Sequence, residues 1–394
     1  MNTQVSFLDG TYTLIHIPSP LYASLLQPIL RVLLPQAQCV DNDPATAREG
    51  PHRHTLNDSQ HHAFLNVSVT PLEVSLVCPS KWAQAIFKPA LERLPSKEAK
   101  TVDLSRDEYL VLSVISAGLD AARRVMELTS PLALAGIPIF FISTYYSDFI
   151  LVPAKAKDKV IKAFEEKGLH LSGDHGQFVN DCAAGSRTVT PERSTTPPPP
   201  ESSAEIDVQT RAFDTLTKSS VLPQVMDDLH LVHCSGKELD PITDEVYDTR
   251  QTTGRHTNGH KPRKKTWVDT VDPKLYTCLI SALVAEPKFI SVTLAQGDPP
   301  SLLLDKSLLP LFADSIVGDT DNKQVPIFLD LVKLPVEIIG IVCGVAGRLV
   351  RDMQMEASAE LSYLSTARAG VVILPEEQAG KALDILRPLL KKVE

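Results

Sequence analysis

Histidine and cysteine are the residue types in this sequence whose spacing could indicate chemistry. Four of the 11 histidines lie between positions 52 and 62, and His233 adjoins Cys234. The histidine-rich stretch contains no cysteine and no regular ligand spacing, which favours a solvated loop over a metal site. Adjacent strand residues point to opposite faces of a sheet, so His233 and Cys234 are not expected to form a nucleophile pair. We therefore predict a protein with no catalytic residues, no bound metal and no cofactor.

Catalytic and nucleotide-binding motifs are missing from the sequence. It contains no GxxxxGK[ST] phosphate loop, no HExxH zinc motif and no GxSxG nucleophile elbow. The six cysteines form no CxxC pair, and the net charge of −9 argues against nucleic-acid binding. The apolar runs are too short to span a bilayer, and the first residues lack the pattern of a secretory signal. These features predict a cytoplasmic protein without a nucleic-acid partner or membrane insertion.

The composition predicts a globular chain that a linker divides into two halves. Hydrophobic residues make up 43% of the 394 residues and charged residues 22%, which is an ordinary globular mixture. A stretch rich in Pro, Ser and Thr at 176–207 is typical of a linker. Each half also contains one polar stretch, at 41–62 and at 236–266, which we interpret as loops inserted at equivalent places.

The two halves share a repeat at a constant offset of 222 residues. The segment Phe141–Phe164 aligns without a gap with Tyr363–Leu386. The Ser-Thr pair at 143–144 falls on the pair at 365–366, and in both copies a short turn, an apolar strand, a proline and an amphipathic helix follow. The common order of these features indicates a duplication more strongly than shared hydrophobicity alone would.

The residue patterns predict the same element order in both copies. Runs of β-branched and aromatic residues predict strands at 137–142 and 149–152, with amphipathic helices before and after them. The same reasoning predicts a strand at 212–217 and a helix at 221–232 in the third quarter, and a helix at 336–353 in the fourth. We therefore predict an α+β fold of four ferredoxin-like (βαββαβ) modules in two tandem pairs.

Module boundaries follow from these elements. The four modules are predicted at residues 1–104, 105–175, 208–320 and 321–394, with the linker at 176–207. The first and third modules contain the two polar stretches.

Several segments resemble the CASTOR family of cytosolic arginine sensors, which consist of tandem ACT domains. IPIFFISTYYSDFILVPAKAKDKVIKAF, from Ile137, resembles the second ACT module of that family. IIGIVCGVAGRLV from Ile338 and LSTARAGVVILPEE from Leu364 resemble its fourth module, and AFDTLTKSSVLPQVMDDL from Ala212 resembles the opening of its second half. The resemblance covers most of the chain outside the polar loops and linker. It implies four ACT-type modules and a protein that binds an amino acid without catalysis.

The resemblance also implies a ligand site between the second and fourth modules. Backbone N–H groups near the start of a helix would hold the ligand carboxylate, and strand-edge carbonyls at 136–140 would hold its ammonium group. The implied ligand-binding residues are Pro138, Ile139, Ile338, Ile339, Gly340, Ile341, Thr366, Ala367, Arg368 and Gly370. The implied partners are a free amino acid and a GATOR-type complex that regulates the TOR kinase in response to arginine. The sequence leaves open whether the protein forms a homodimer.

Departures from the family pattern disfavour arginine as the ligand. The family has an acid where this chain has Gly370, and Arg368 stands two residues before it. A guanidinium without a carboxylate partner loses its strongest contact, unless Glu337 or Glu360 replaces the acid. Arg368 would favour an acidic ligand if it points into the site, and an apolar ligand fits if it points away.

Two other functions stay open at this point. One is an ACT-type regulatory subunit for an amino-acid biosynthetic enzyme. The other is an interaction scaffold whose ligand site is vestigial.

Overall fold

A computed structural model describes most of the chain. The described residues are 2–34, 63–117, 121–169, 203–237, 271–355 and 360–391. The histidine-rich stretch, the polar stretch at 41–62, and most of the stretch at 236–266 and of the predicted linker fall outside these residues. Among the helices of the described ranges, none is both long and apolar enough to cross a membrane.

The described residues form 16 strands of one sheet, with helices packed on it. The strands are β1 (Asn2–Phe7), β2 (Tyr12–Pro18), β3 (Phe64–Val69), β4 (Glu73–Pro79), β5 (Asp103–Leu104), β6 (Tyr109–Ala117), β7 (Phe140–Ser143), β8 (Asp148–Pro153), β9 (Pro223–Gln224), β10 (Leu231–Gly236), β11 (Ile290–Ala295), β12 (Ser301–Asp305), β13 (Ile316–Val317), β14 (Gln324–Asp330), β15 (Ser362–Ser365) and β16 (Ala369–Pro375). The α-helices are α1 (Tyr22–Leu33), α2 (Ser80–Trp82), α3 (Lys88–Glu92), α4 (Ser96–Ala99), α5 (Ala121–Leu134), α6 (Lys157–Glu166), α7 (Ser203–Lys218), α8 (Pro273–Val284), α9 (Leu309–Phe312), α10 (Ile341–Asp352) and α11 (Glu376–Leu390).

The order strand, helix, strand, strand, helix recurs four times along the described chain. Each recurrence places its three strands side by side in the order first, third, second, for example β6-β8-β7 and β14-β16-β15. This antiparallel arrangement is the ferredoxin-like pattern, so the predicted α+β character is confirmed.

All four quarters of the chain contribute strands to this one sheet. Strands of different quarters pair directly, and a further pairing of β6 with β2 closes 12 strands into a ring. The longest strand pairing between the halves, among the described residues, is the six-residue ladder of β3 with β11. Buried polar side chains hold it together, because the Asn66 amide donates to Ser291 at 3.2 Å and to Thr293 at 3.0 Å. The edges of the modules therefore join the two halves into one sheet.

Three main apolar cores fill the fold. One lies between helices α5, α6, α7, α10 and α11 and the strands of the second and fourth quarters. Another lies between helices α1 and α8 and the strands of the first and third quarters. The third core fills the inside of the ring, where Phe64 and Phe149 lie 4.8 Å apart by ring centroids. Because both faces of strands such as β8 and β16 are covered, their sequences are apolar at consecutive positions instead of alternating, with Asp148 at the start of β8 as the exception.

The third quarter differs from the sequence prediction. Residues 212–217, predicted as a strand, lie in helix α7, which begins at Ser203 within the predicted linker. Residues 221–232, predicted as a helix, contain β9 and the start of β10. The buried residues Val208, Ala212 and Leu216 recur every four positions, which is helical spacing. The predicted strand at 212–217 covers only the last part of this helix, and six residues are too few to show the helical period.

Candidate functional site

A narrow pocket lies at the junction of strands β7 and β15, between helices α5 and α10. We name it the junction pocket. Its cavity volume is about 50 Å³. The lining consists largely of apolar side chains and glycine, and its polar residues are Thr129, Tyr363, Ser365 and Thr366. None of the lining residues carries a charged side chain.

Seven of the ten residues predicted to bind a ligand line the junction pocket. They are Ile139, Ile338, Gly340, Ile341, Thr366, Ala367 and Gly370. The other three do not line it: Pro138 borders a neighbouring cleft of about 370 Å³, and Ile339 is 38% exposed. The Arg368 guanidinium instead donates a hydrogen bond to Asp103 at 2.7 Å.

The two repeated serines join the halves beside the pocket. The Phe141 N–H donates to the Ser365 hydroxyl at 2.9 Å, and the Tyr363 N–H donates to the Ser143 hydroxyl at 3.1 Å. Between them Leu364 and Ile142 are ladder partners. The neighbouring threonines bond within their own hairpin turns, where Thr144 accepts from the Ser147 N–H and Thr366 accepts from the Ala369 N–H. In each copy the threonine therefore holds the turn, while the serine bridges to the other copy.

Helix α10 begins at Ile341, five residues after its predicted start. Gly340 is the N-cap residue in a left-handed conformation (φ 84°), and it has no side chain to cap the first turn. A Cβ at this position would overlap Val208 of α7. Residues 341–343 of the first helical turn line the pocket, which therefore faces the positive end of the helix dipole.

A buried carboxylate anchors the turn between β15 and β16 to the first quarter of the chain. Glu73, 1% exposed, accepts hydrogen bonds from the Thr366 hydroxyl at 2.5 Å and the Arg368 N–H at 2.7 Å, and it contacts His16. The Ala367 N–H donates to Ser75 at 3.0 Å. We name these contacts the Glu73 latch. The latch ties two lining residues of the pocket to a strand nearly 300 positions away.

The two acids considered as substitutes for the missing carboxylate lie elsewhere. Glu337 borders the neighbouring cleft together with Lys155. Glu360 accepts hydrogen bonds from Asn322 and Gln324, at 3.5 Å and 3.4 Å. The junction pocket therefore has neither an acid for a cationic ligand nor, with Arg368 turned away, a base for an acidic one.

Tyr363 is a pocket residue that the sequence reasoning missed. It is 1% exposed, and its hydroxyl lies so close to Gly370 that a Cβ there would overlap it. Burial raises the pKa of Tyr363, so the hydroxyl remains a hydrogen-bond donor at neutral pH. The repeat offset places Tyr363 on Phe141 and Gly370 on Asp148. That comparison is the signal that could have identified this residue.

The first copy has an ion pair at the equivalent place. Asp148, 1% exposed, pairs with Arg124 of helix α5. Burial raises the pKa of Asp148, and Arg124 opposes that effect. The position of Gly370 in the second copy thus corresponds to an aspartate in the first copy, and that aspartate binds a guanidinium.

His233 lies partly buried near this ion pair, with the Tyr145 ring packed edge-on at 5.8 Å. Its Nε2 atom has no hydrogen-bond partner among the described residues. Burial and the charge of Arg124 lower the pKa of His233 to about 4. His233 is therefore neutral in the folded chain at pH 7.

We expect stability to fall in acid because of His233. Between pH 6.5 and about 4 the unfolded chain binds a proton that the folded chain does not, so the free energy of unfolding decreases as pH falls. The loss is about 3 kcal/mol at pH 4. Denaturant unfolding of the wild type and of His233→Gln at pH 7, 5.5 and 4 measures it. Parallel pH curves for the two proteins would contradict this expectation.

Part of the chain is an ACT domain. Residues 104–166, which include β6 to β8 and helices α5 and α6, match the ACT domain family model. A search of curated proteins found no significant match.

Two solved structures match the chain at low similarity. The aspartate kinase from Synechocystis has 12% sequence identity and a TM-score of 0.30, and the match covers 99% of this chain and 57% of the kinase. The regulatory subunit of aspartate kinase from Thermus thermophilus has 17% identity and a TM-score of 0.25, covering 41% of this chain and 95% of the subunit. The chain thus spans 57% of the length of the Synechocystis enzyme.

Proposed function

We propose that this chain is a cytoplasmic, non-catalytic regulatory protein that binds an amino acid in the junction pocket. The observation that carries the proposal is the position of the pocket. It lies where the ACT domain at 104–166 meets the copy of its hairpin in the second half. In the family that the sequence resembles, an amino acid binds between such modules.

We further propose that all four quarters are ACT-type modules with the predicted boundaries 1–104, 105–175, 208–320 and 321–394. The fourfold recurrence of the strand–helix order supports this division. The matching strand order within each quarter supports it as well. In this proposal α7 belongs to the join between the halves, since it packs on helices of the second and fourth quarters.

The regulatory mechanism in this proposal is a shift between two packings of the halves. A ligand in the pocket contacts both halves and therefore stabilises the packing in which they close on it. The Glu73 latch extends that effect to the first quarter, since Thr366 lines the pocket and also bonds Glu73. A protein partner that fits one packing would then respond to ligand concentration.

Two classes of partner agree with an ACT-type regulator. The CASTOR resemblance implies a GATOR-type complex in TOR signalling, and ACT domains also regulate amino-acid biosynthetic enzymes. Affinity purification of the full chain with and without amino acids distinguishes them. Co-purified signalling components favour the first class, and a co-purified kinase or dehydrogenase favours the second.

A pair of adjacent isoleucines tests the pocket. We expect the wild type to bind at least one of the twenty amino acids in calorimetry. Ile338→Trp should weaken that binding at least tenfold, because an indole would fill a cavity that holds only about four water-sized groups. Ile339→Trp is the matched control, since Ile339 is exposed and does not line the pocket.

Two results would contradict the proposal. The amino-acid-binding function is wrong if no amino acid binds the wild type. The pocket assignment is wrong if both tryptophan variants bind as tightly as the wild type.

A further inference from the structure

We infer that the ligand of the junction pocket is an amino acid with an uncharged side chain, and that the Tyr363 hydroxyl hydrogen-bonds to it. This inference rests on the proposed function and specifies the ligand class.

The hydrogen-bond partners of the four hydroxyl groups that line the pocket indicate which of them can bind a ligand. The Thr129 hydroxyl donates to a carbonyl of its own helix at 2.7 Å, and the Thr366 hydroxyl donates to Glu73. The Ser365 hydroxyl accepts from the Phe141 N–H. Tyr363 is 1% exposed, and its hydroxyl is not one of the fully enclosed polar atoms that lack a partner in the described part of the chain. Since Tyr363 lines the pocket, its hydroxyl is placed to donate a hydrogen bond to a ligand atom there.

The uncharged lining and the small volume of the pocket restrict which amino-acid side chains it can hold. A charged side chain in the pocket would lose its hydration without gaining an opposite charge, which is strongly unfavourable. The cavity of about 50 Å³ accommodates about four water-sized groups, so only the side chain of the amino acid would lie inside it. Side chains of leucine, methionine or asparagine have about that many heavy atoms, whereas arginine has more.

The first copy of the repeat shows what an acid at this position would do. There the pair is Phe141 with Asp148, and Asp148 holds the Arg124 guanidinium. In the second copy the pair is Tyr363 with Gly370, and the tyrosine hydroxyl occupies the space beside the glycine. The exchange replaces a carboxylate by a neutral hydroxyl. It changes the position from one suited to cations to one suited to uncharged groups.

Calorimetric titration of the full chain tests the ligand class. Leucine, methionine, asparagine and glutamine are compared with arginine, lysine and glutamate. We expect an uncharged amino acid to bind at least tenfold more tightly than any charged one. Tyr363→Phe should weaken the best ligand by about tenfold to hundredfold. Tyr22→Phe removes a buried tyrosine hydroxyl far from the pocket and should leave binding unchanged.

A double variant tests the same inference in the opposite direction. Tyr363→Phe with Gly370→Asp copies the pair of the first half into the second. We expect it to bind arginine at least tenfold more tightly than the wild type does. Thermal unfolding verifies that each variant folds, and Tyr363→Phe alone removes only one oxygen and tests the hydroxyl if the double variant does not fold.

The outcomes separate this inference from the proposed function. A charged amino acid that binds the wild type most tightly would overturn the uncharged class and leave an amino-acid site in place. Unchanged affinity in a folded Tyr363→Phe would overturn the role of the hydroxyl. If none of the twenty amino acids binds the wild type, the proposed function fails and this inference fails with it.

Discussion

Glu73→Ala is expected to destabilise the fold by roughly 3–5 kcal/mol, the range for removing one partner from a buried charged contact. The substitution leaves the Thr366 hydroxyl and the Arg368 N–H without their acceptor in a buried place. Because Thr366 also lines the junction pocket, amino-acid binding should weaken as well. Urea-induced unfolding and calorimetric titration measure the two effects.

Glu92→Ala is the matched control for this prediction. Glu92 is an exposed glutamate of helix α3, so its loss should change the free energy of unfolding by no more than about 0.5 kcal/mol. Equal stability of Glu73→Ala and Glu92→Ala would show that the latch does not hold the first and fourth quarters together.

Asp148→Ala is expected to destabilise the chain by roughly 2–4 kcal/mol. The substitution leaves the Arg124 guanidinium without its carboxylate partner beside the buried start of β8. The expected loss is below that of a fully buried pair, because the Arg124 side chain remains 21% exposed to water. Denaturant unfolding monitored by circular dichroism gives the free energy.

Replacing both partners distinguishes two explanations of this loss. Either the ion pair itself stabilises the fold, or the loss comes from leaving Arg124 unpaired. Arg124→Met with Asp148→Leu removes both charges and keeps similar volume, so most of the lost stability should return. If the double variant is as unstable as Asp148→Ala, the pair itself contributes the stability and the unpaired-charge explanation is wrong.

The local pattern of the sequence determined much of the fold. Strands β7 and β8 and helix α6 lie close to their predicted places, because apolar periodicity and a proline encode them locally. The offset of 222 residues revealed the repeat, and the glycine at 370 already argued against a carboxylate partner for arginine. The misassigned third quarter shows the limit of this reasoning, since a short window does not separate a buried strand from a buried helix.

Only the tertiary structure decided how the halves join and which side chains face the pocket. The pairing of β3 with β11 depends on residues more than 220 positions apart, and no local pattern encodes that choice. Arg368 turns to Asp103, and Glu73 bonds a hydroxyl 293 positions away. Residue type and local spacing therefore determined the strands, the helices and the repeat. The partners of polar side chains depend on where the chain folds back, so the latch, the buried Tyr363 hydroxyl and the uncharged pocket emerged only in three dimensions.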